Sequence, residues 1–398
     1  MDVLRGVKVL EVSQYAYVPA AGATLGDWGA DVIKVVHPVY GDVMYGAHAS
    51  GLEPPAGSGS FMWEIANRNK RSIGIDLATE DGLEVLYALA GEADVFLTNF
   101  LAPARRKLRI DVEQIRTVNP SIVYARGTGQ GPQGPDADAP GYDSVSFWAR
   151  SGWANPLAES AGRFLYQPGA GCGDVMAGFA LASGVVGALF KRDRTGETSI
   201  VDGSLLATGI WSMAGAIAAS HMYGMDTIPI REKHQPGNAL TSGYRTKDDR
   251  WILLSGIVHG DGFRDFAERV GRAWWLDDER FATHEARLAN HLAFVESLDE
   301  AFAERTLAEW RVTLAGMELA WGVVQNTAEV AVDPQVVANG YVRESDGVRL
   351  TATPVQFDER PLDLRRAPQP GQHTEEILLE LGRDWEDIAR LKDLGAVT

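Results

Sequence analysis

The sequence predicts an α/β protein with a parallel-sheet domain and a second, smaller α+β domain. A strand–helix–strand order begins at once: VKVLEV (7–12), PAAGATLGDWG (19–29) and ADVIKVV (30–36). Within about thirty residues that order is the unit of a parallel sheet with right-handed crossovers. The length, 398 residues, exceeds the roughly 250–300 residues at which a single core stops growing. From about Thr227 the pattern changes to a strand pair with a charged turn, followed by amphipathic helices.

Each later segment of the large part repeats the alternation. SIGIDL (72–77) reads as a strand after a turn carrying Arg68, Lys70 and Arg71, and DGLEVLYALAGEA (81–93) as an amphipathic helix. DVFLTNF (94–100) is a strand ending at Asn99 and Phe100, IDVEQIRTVNP (110–120) a helix stopped by Pro120, and SIVYARG (121–127) a further strand. A short strand at 199–202 then leads into one long helix carrying Trp211 and Met213. In the smaller domain GYRTKDDRWILLSG (243–256) is the strand pair, and Trp251, Trp274, Trp275, Trp310 and Trp321 supply bulk for a separate core. From about Val330 the chain turns to helix (332–342), strand (348–357), a proline-punctuated run and a last helix at 373–382. The expected domains are residues 1–224, 225–328 and a return segment 329–398.

Composition narrows the function. Lys and Arg number 37 against 54 Asp and Glu, a formal charge of −17 without any basic run, so neither nucleic acid nor anionic membrane is expected as a partner. A lone cysteine, Cys172, allows no internal disulfide and suits a reducing cytoplasm. The N-terminus enters a strand pattern directly, and the apolar segment 205–220 is too short and too interrupted for a bilayer span, so a cytoplasmic protein is expected. The turn after the first strand, SQYAYVP, has no glycine, which removes the nicotinamide or flavin fingerprint. Gly127, Gly129 and Gly131 mimic that fingerprint, but Pro132 and Pro135 block the helix it needs. The eight histidines form no zinc-binding pair, so no metal is expected, and no G-x-S-x-G elbow occurs.

Two patterns carry chemistry. Arginines and lysines recur just beyond successive strands, the edge where open parallel sheets bind ligands, and this favours an anionic ligand. The stretch 169–190 runs Gly169, Gly171 and Gly173 into Asp174 at the head of an apolar helix. An aspartate there serves as N-cap, among free N–H groups that would keep it ionised, and a nucleophile needs that same ionisation. Taken alone the pattern fits the cap better. Cys172 reads as a small packed residue.

Several blocks in order resemble the class III CoA-transferases, a family that also includes α-methylacyl-CoA racemase: LRGVKVLEVS, LGDWGADVIKV, NRNKRSIGIDL, ADVFLTNF, GTGQGP, PGYDSVSFWARSG, the Gly173–Asp174 pair and GYRTKDDRW. The resemblance covers nearly the whole chain. It implies a large Rossmann-like domain with the smaller domain inserted, and an interlocked homodimer. It implies Asp174 as the nucleophile, a role that outweighs the cap. Coenzyme A, entering as an acyl-CoA and exchanged with a free carboxylic acid, would meet Gln14, Tyr15, Ala16, His37, Arg68, Asn69, Lys70, Asn99, Phe100, Lys107 and Thr128. Arg68, Lys70 and Lys107 would supply charge to its phosphates, Phe100 a stacking surface, and His37, where relatives carry Arg, a weaker hold.

The chain departs from the resemblance twice. REKHQPG (231–237) stands where the oxalate enzymes have a glycine loop, which argues against a formyl-CoA and oxalate pair. Tyr142 stands where the racemases have a histidine base, with Asp143 the nearest substitute, which argues against α-proton transfer. An acyl-CoA racemase or isomerase is therefore the second reading, and a CoA-binding protein without catalysis the third. Tyr142, Phe147, Trp148 and Arg150, on SFWARSGW and just before it, point to a bulky or aromatic acyl group with Arg150 on the acceptor carboxylate.

Overall fold

The computed structural model describes residues 3–46, 60–230, 232–256 and 260–398. Two compact units emerge, residues 3–228 with 334–398, and 229–333. The large unit begins with β1 (Lys8–Val12), α1 (Tyr17–Asp27), β2 (Asp31–Val36), the single turn α2 (Val43–Gly46), α3 (Phe61–Asn67) and β3 (Arg71–Gly74). There follow α4 (Glu80–Glu92), β4 (Val95–Thr98), α5 (Ala102–Lys107), α6 (Val112–Val118) and β5 (Val123–Thr128). After a π-helix (Asp143–Ala149) come α7 (Ala154–Ala161), α8 (Cys172–Thr195), β6 (Ile200–Ser204), α9 (Leu205–Ser212) and α10 (Ala214–Tyr223).

The six strands pair in parallel in the order β3-β2-β1-β4-β5-β6, the doubly wound order of a Rossmann-like sheet. Near-continuous apolar strands go with burial on both faces. On one face Leu25, Trp28, Leu181, Val185 and Leu189 of α1 and α8 pack with Val9, Val95 and Val123. On the other, Leu83, Leu86 and Ile115 pack with Leu10, Phe96 and Tyr124. Although α8 is long and apolar enough to cross a membrane, it lies along α1. A Cβ at Gly178 would stand 2.7 Å from Ala20 Cβ and 2.8 Å from the Tyr17 carbonyl, so only glycine lets the two backbones come so close.

The small unit holds an antiparallel sheet of β7 (Gly243–Arg245), β8 (Trp251–Ser255) and β9 (Ala320–Val323). Helices α11 (Gly260–Arg269), α12 (His284–Ala289), α13 (His291–Ala303), α14 (Leu307–Thr313) and α15 (Thr327–Val330) accompany it. Of the five tryptophans expected in this core only Trp275 and Trp310 are fully buried, whereas Trp251 and Trp274 are exposed. The return segment contributes α16 (Pro334–Asn339), a hairpin of β10 (Val342–Ser345) and β11 (Val348–Thr351), then α17 (Thr374–Glu380) and α18 (Trp385–Asp393). Its Leu350, Leu362 and Leu364 enter one core of the large unit, and Ile377, Leu378, Ile388 and Leu391 the other.

Some boundaries differ from the sequence reading. The third strand stops at Gly74, ahead of Asp76, whose side chain caps the turn by accepting from Ala78 N at 2.9 Å. The long helix expected after β6 is two helices bent by 64° at Met213. The π-helix, α7 and α18 were not expected.

Candidate active site

Asp174 is not an N-cap. Helix α8 starts two residues earlier, and its cap is Gly171 at φ +69°, a conformation in which glycine carries no strain. Asp174 therefore sits in the first turn and points off the helix. Among the described residues no group donates a hydrogen bond to its carboxylate. Burial, and then the nearby charge of Asp143, push its pKa up to about 7. The sequence expectation of a carboxylate held ionised by helix N–H groups is not met: no such N–H among the described residues reaches it, and burial raises its pKa.

Asp143, the first residue of the π-helix, fastens this turn. Both of its oxygens accept from Gly173 N at 3.1 Å, and Oδ2 also accepts from Gln167 Nε2 at 2.9 Å. Burial raises its pKa as well, while those donors work in the opposite sense.

A cavity of about 500 Å³ opens beside Asp174. Gln14, Tyr15 and Tyr17 line it from the β1–α1 turn, Asn99 and Phe100 from the end of β4, Thr128 from the end of β5, and Tyr142 and Asp143 from the π-helix entry. These are carboxyl ends of parallel strands, where such sheets bind ligands. Gln14 and Phe100 also line a second cavity of about 180 Å³ with His37, Asp76 and Leu108. Asn99 ties the two strand ends together, its Oδ1 accepting from Gln14 N at 2.9 Å and its amide donating back to the Gln14 carbonyl. The Tyr15 and Tyr142 rings meet edge to face, centroids 5.3 Å apart.

Other predicted residues lie elsewhere. Arg68 is buried on Asp27, with Nε 3.1 Å from both carboxylate oxygens and Nη2 2.7 Å from Oδ2. Asn69 donates to the same Asp27 at 2.8 Å. Lys70 gives its three N–H groups to Glu11 Oε2, the Pro19 carbonyl and Asn67 Oδ1 at 2.7–3.0 Å. Lys70 and the Asn69 amide use all their N–H groups on internal partners, and Arg68 commits three of its five. Alone, burial would raise the pKa of Glu11, but Lys70 and Lys34 more than reverse that and hold it ionised. Lys34 also reaches Asp42 at 2.9 Å, and Asp42 Oδ1 accepts from the backbone of Tyr15 and Met44. The ion cluster therefore underpins the turn that carries Gln14 and Tyr15.

His37 lines the smaller cavity, its Nε2 3.9 Å from Asp76 Oδ1. Its Nδ1 accepts from Val39 N at 3.1 Å and Tyr40 N at 3.3 Å, so that nitrogen carries no proton. Ala16 caps α1 and is buried. Lys107 is exposed at the end of α5, between Ala104 of one cavity and Leu108 of the other.

Phe147 and Trp148 are buried packing residues outside the lining. Phe147 belongs to the core beside α8, and Trp148 donates its indole N–H to the Leu165 carbonyl at 3.1 Å. Arg150 pairs with Asp136 at 2.8 Å and Gln130 at 2.9 Å. Of the residues expected to read the acyl group, only Tyr142 is among those lining the large cavity. The segment 231–237 begins at Arg231, which lies outside the described residues. Tyr17, Met44, Met62 and Gln167 line the large cavity without having been singled out. For Tyr17 the signal was available, an aromatic in a glycine-free turn directly after the first strand.

The family model for CoA-transferase family III matches residues 4–374. The chain belongs to CoA-transferase family III. Class III transferases use CoA thioesters as co-substrates and exchange them with carboxylates, and this chain is an enzyme of that class. It is 35% identical to the (R)-2-hydroxy-4-methylpentanoate CoA-transferase of Clostridioides difficile, over 98% of both chains. It is 30% identical to the cinnamoyl-CoA:phenyllactate CoA-transferase of Clostridium sporogenes, over 98% of this chain and 96% of that one. The crystal structure of a CaiB/BaiF family protein from Brucella suis superposes with a TM-score of 0.83 at 29% identity, covering 96% of this chain and 99% of the other. Among the described residues, no group of three or more His, Cys, Asp or Glu could hold a metal ion in this transferase.

Proposed function

We propose that this transferase moves CoA between 2-hydroxy acids through a covalent intermediate on Asp174. The observation that carries the reading is a half-buried carboxylate, without a hydrogen-bond partner among the described residues, on a cavity built from strand ends. Such a carboxylate is poorly solvated and keeps its nucleophilicity. One Asp174 oxygen attacks the thioester carbonyl carbon, and the C–S bond breaks to release CoA thiolate and an aspartyl anhydride. The thiolate attacks the aspartyl carbonyl, freeing the first acid and leaving an enzyme thioester. The acceptor carboxylate then repeats the two steps in reverse. Splitting the exchange in this way lowers each barrier.

The thioester end of CoA fits the large cavity with Gln14, Tyr15 and Thr128, and its nucleotide end the smaller one beyond Phe100. Lys107 remains exposed for the phosphates. The preference for 2-hydroxy acids with a branched or aromatic side chain is carried over from the two relatives above and agrees with a cavity lined by Met44, Met62, Phe100 and Tyr142. Among the described residues no histidine lines that cavity, which weighs against a racemase. A homodimer agrees with the apolar surface on α8–α10, where Phe190, Trp211, Met222 and Tyr223 are exposed, Trp211 at 81%.

The test is intact-protein mass after mixing with a panel of acyl-CoAs, (R)-2-hydroxy-4-methylpentanoyl-CoA among them, followed by hydroxylamine or borohydride trapping. A modification on Asp174 that is lost in Asp174→Ala is expected. CoA transfer at normal rates by Asp174→Ala would refute the covalent route.

A further inference from the structure

Tyr15 lines the cavity that Asp174 lines, and it does so on a strained backbone. Its φ is +64°, in the left-handed region that disfavours a bulky side chain. Of the seven non-glycine residues with positive φ among the described residues, four are Asn or Asp, which take this conformation readily, and Tyr15 is the one aromatic. Such strain persists only where the surroundings impose it. Here Gln14, on one side, is fixed by two hydrogen bonds with Asn99. On the other side the Ala16 carbonyl accepts from Ala20 N at 2.8 Å, as α1 begins. Tyr15 N itself donates to Asp42 Oδ1 at 3.4 Å. The same oxygen accepts from Met44 N at 2.9 Å, and the Lys34 ammonium stands 2.9 Å from Oδ2. One buried carboxylate thus sets two residues, from separate segments, that line the cavity.

The Tyr15 ring meets Tyr142 at 5.3 Å, inclined by 74°. An edge-to-face pair leaves flat ring surface unused, and Tyr142 is 51% exposed. Met44 and Met62, whose flexible thioether chains adapt to what is set against them, line the same cavity with Phe100. None of these five side chains carries a charge. Together they make an apolar wall with aromatic faces, suited to a branched or aryl side chain.

We propose that Tyr15 determines which acyl side chain this transferase accepts, and that Asp42 is the positioning residue that holds it there. This rests on the substrate reading above and adds to it the pair that enforces the preference. The Tyr15 ring covers the isobutyl or benzyl group beyond the hydroxyl-bearing carbon, so its removal slows bulky donors more than small ones. Asp42 acts through the oxygen that accepts from Tyr15 N. A side chain that keeps this acceptor and drops the charge therefore keeps the selectivity.

The experiment compares kcat/KM for (R)-2-hydroxy-4-methylpentanoyl-CoA and 2-hydroxypropanoyl-CoA, which share the hydroxyl and differ in the side chain. The parent, as the full chain, should prefer the larger donor. Tyr15→Ala should cut that preference about tenfold, and Asp42→Ala likewise. Asp42→Asn still offers an oxygen to Tyr15 N, so its preference should stay within about threefold of the parent. Its Tm should nevertheless fall with that of Asp42→Ala, because Lys34 has lost a counter-charge in both. Reduced stability alone cannot give that pattern. Tyr15→Ala with parental selectivity overturns the proposal. Selectivity lost as deeply in Asp42→Asn as in Asp42→Ala overturns the role of Asp42. A parent that turns over both donors without preference refutes the substrate reading and takes this one with it; a selective parent with an equally selective Tyr15→Ala removes only Tyr15.

Discussion

At the scale of single residues, Asp174 sets the pH behaviour. Its pKa near 7 means that the nucleophilic form grows in as pH rises through 7, so kcat/KM should fall on the acid side of that value. In Asp143→Asn the amide oxygen still accepts from Gly173 while the charge is gone. The acid limb should then move to lower pH, though only in part, because burial is the larger cause. A pH–rate profile checks this, and an unmoved limb would assign the limb to another group. The same raised pKa costs stability. A carboxylate with a folded pKa above its unfolded value near 4 helps the folded state most at low pH, and that help is lost as pH rises through 7. Asp174→Asn should therefore unfold about 2–4 °C higher than the parent at pH 8, with the gap closing toward pH 5. Calorimetry at the two pH values decides it.

At the scale of elements, the ends of β1 and β2 hold a buried ion cluster in which Glu11 meets Lys34 at 3.1 Å and Lys70 at 2.7 Å. Removing one partner strands the others. Lys70→Met should lower the unfolding free energy by about 3–5 kcal/mol, as seen in denaturant titration. Lys107→Ala, at an exposed site, should weaken CoA binding and leave stability unaltered. A Lys70 variant with normal stability and poor CoA affinity would return that residue to the ligand. The contrast also shows what could be read from the chain. Strand and helix positions around the sheet were legible because apolar period and turn residues are local properties. Cations after strands looked alike in sequence, yet Arg68 and Lys70 turn inward to Asp27 and Glu11, whereas Lys107 stays outside. Which way each turns depends on a carboxylate 41 or 59 residues away, and no local signal carries that. Asp174 was legible as a position, but its ionisation was not, since desolvation arises from Tyr17, Asp143 and the strand ends assembling around it.

At the scale of the whole molecule, the parallel sheet and the shifts of pattern near Thr227 and Val330 were legible in the sequence, whereas the rejoining of the last segment with the large unit was implied only by the family resemblance. The exposed helices α9 and α10 were visible only as one apolar segment, because a break at Met213 has no proline or glycine of its own to announce it. Their exposed aromatics lead to a direct expectation for the proposed homodimer: the parent should sediment as a dimer and Trp211→Glu should shift it toward monomer, and a variant that sediments like the parent would refute this interface.

The large unit is completed only by residues 334–398, which insert Leu350, Leu362 and Ile377 into its two cores. This has a consequence for synthesis. A ribosome adding roughly 5–20 residues per second delivers the small unit complete while the large sheet still waits for its last layer. Asp27 likewise waits for Thr353, whose N–H it accepts at 3.3 Å. A nascent chain arrested at 333 should thus be protease-resistant across 229–333 and open across 3–228. For several seconds of every synthesis the two cores of the large unit lack the side chains that complete them.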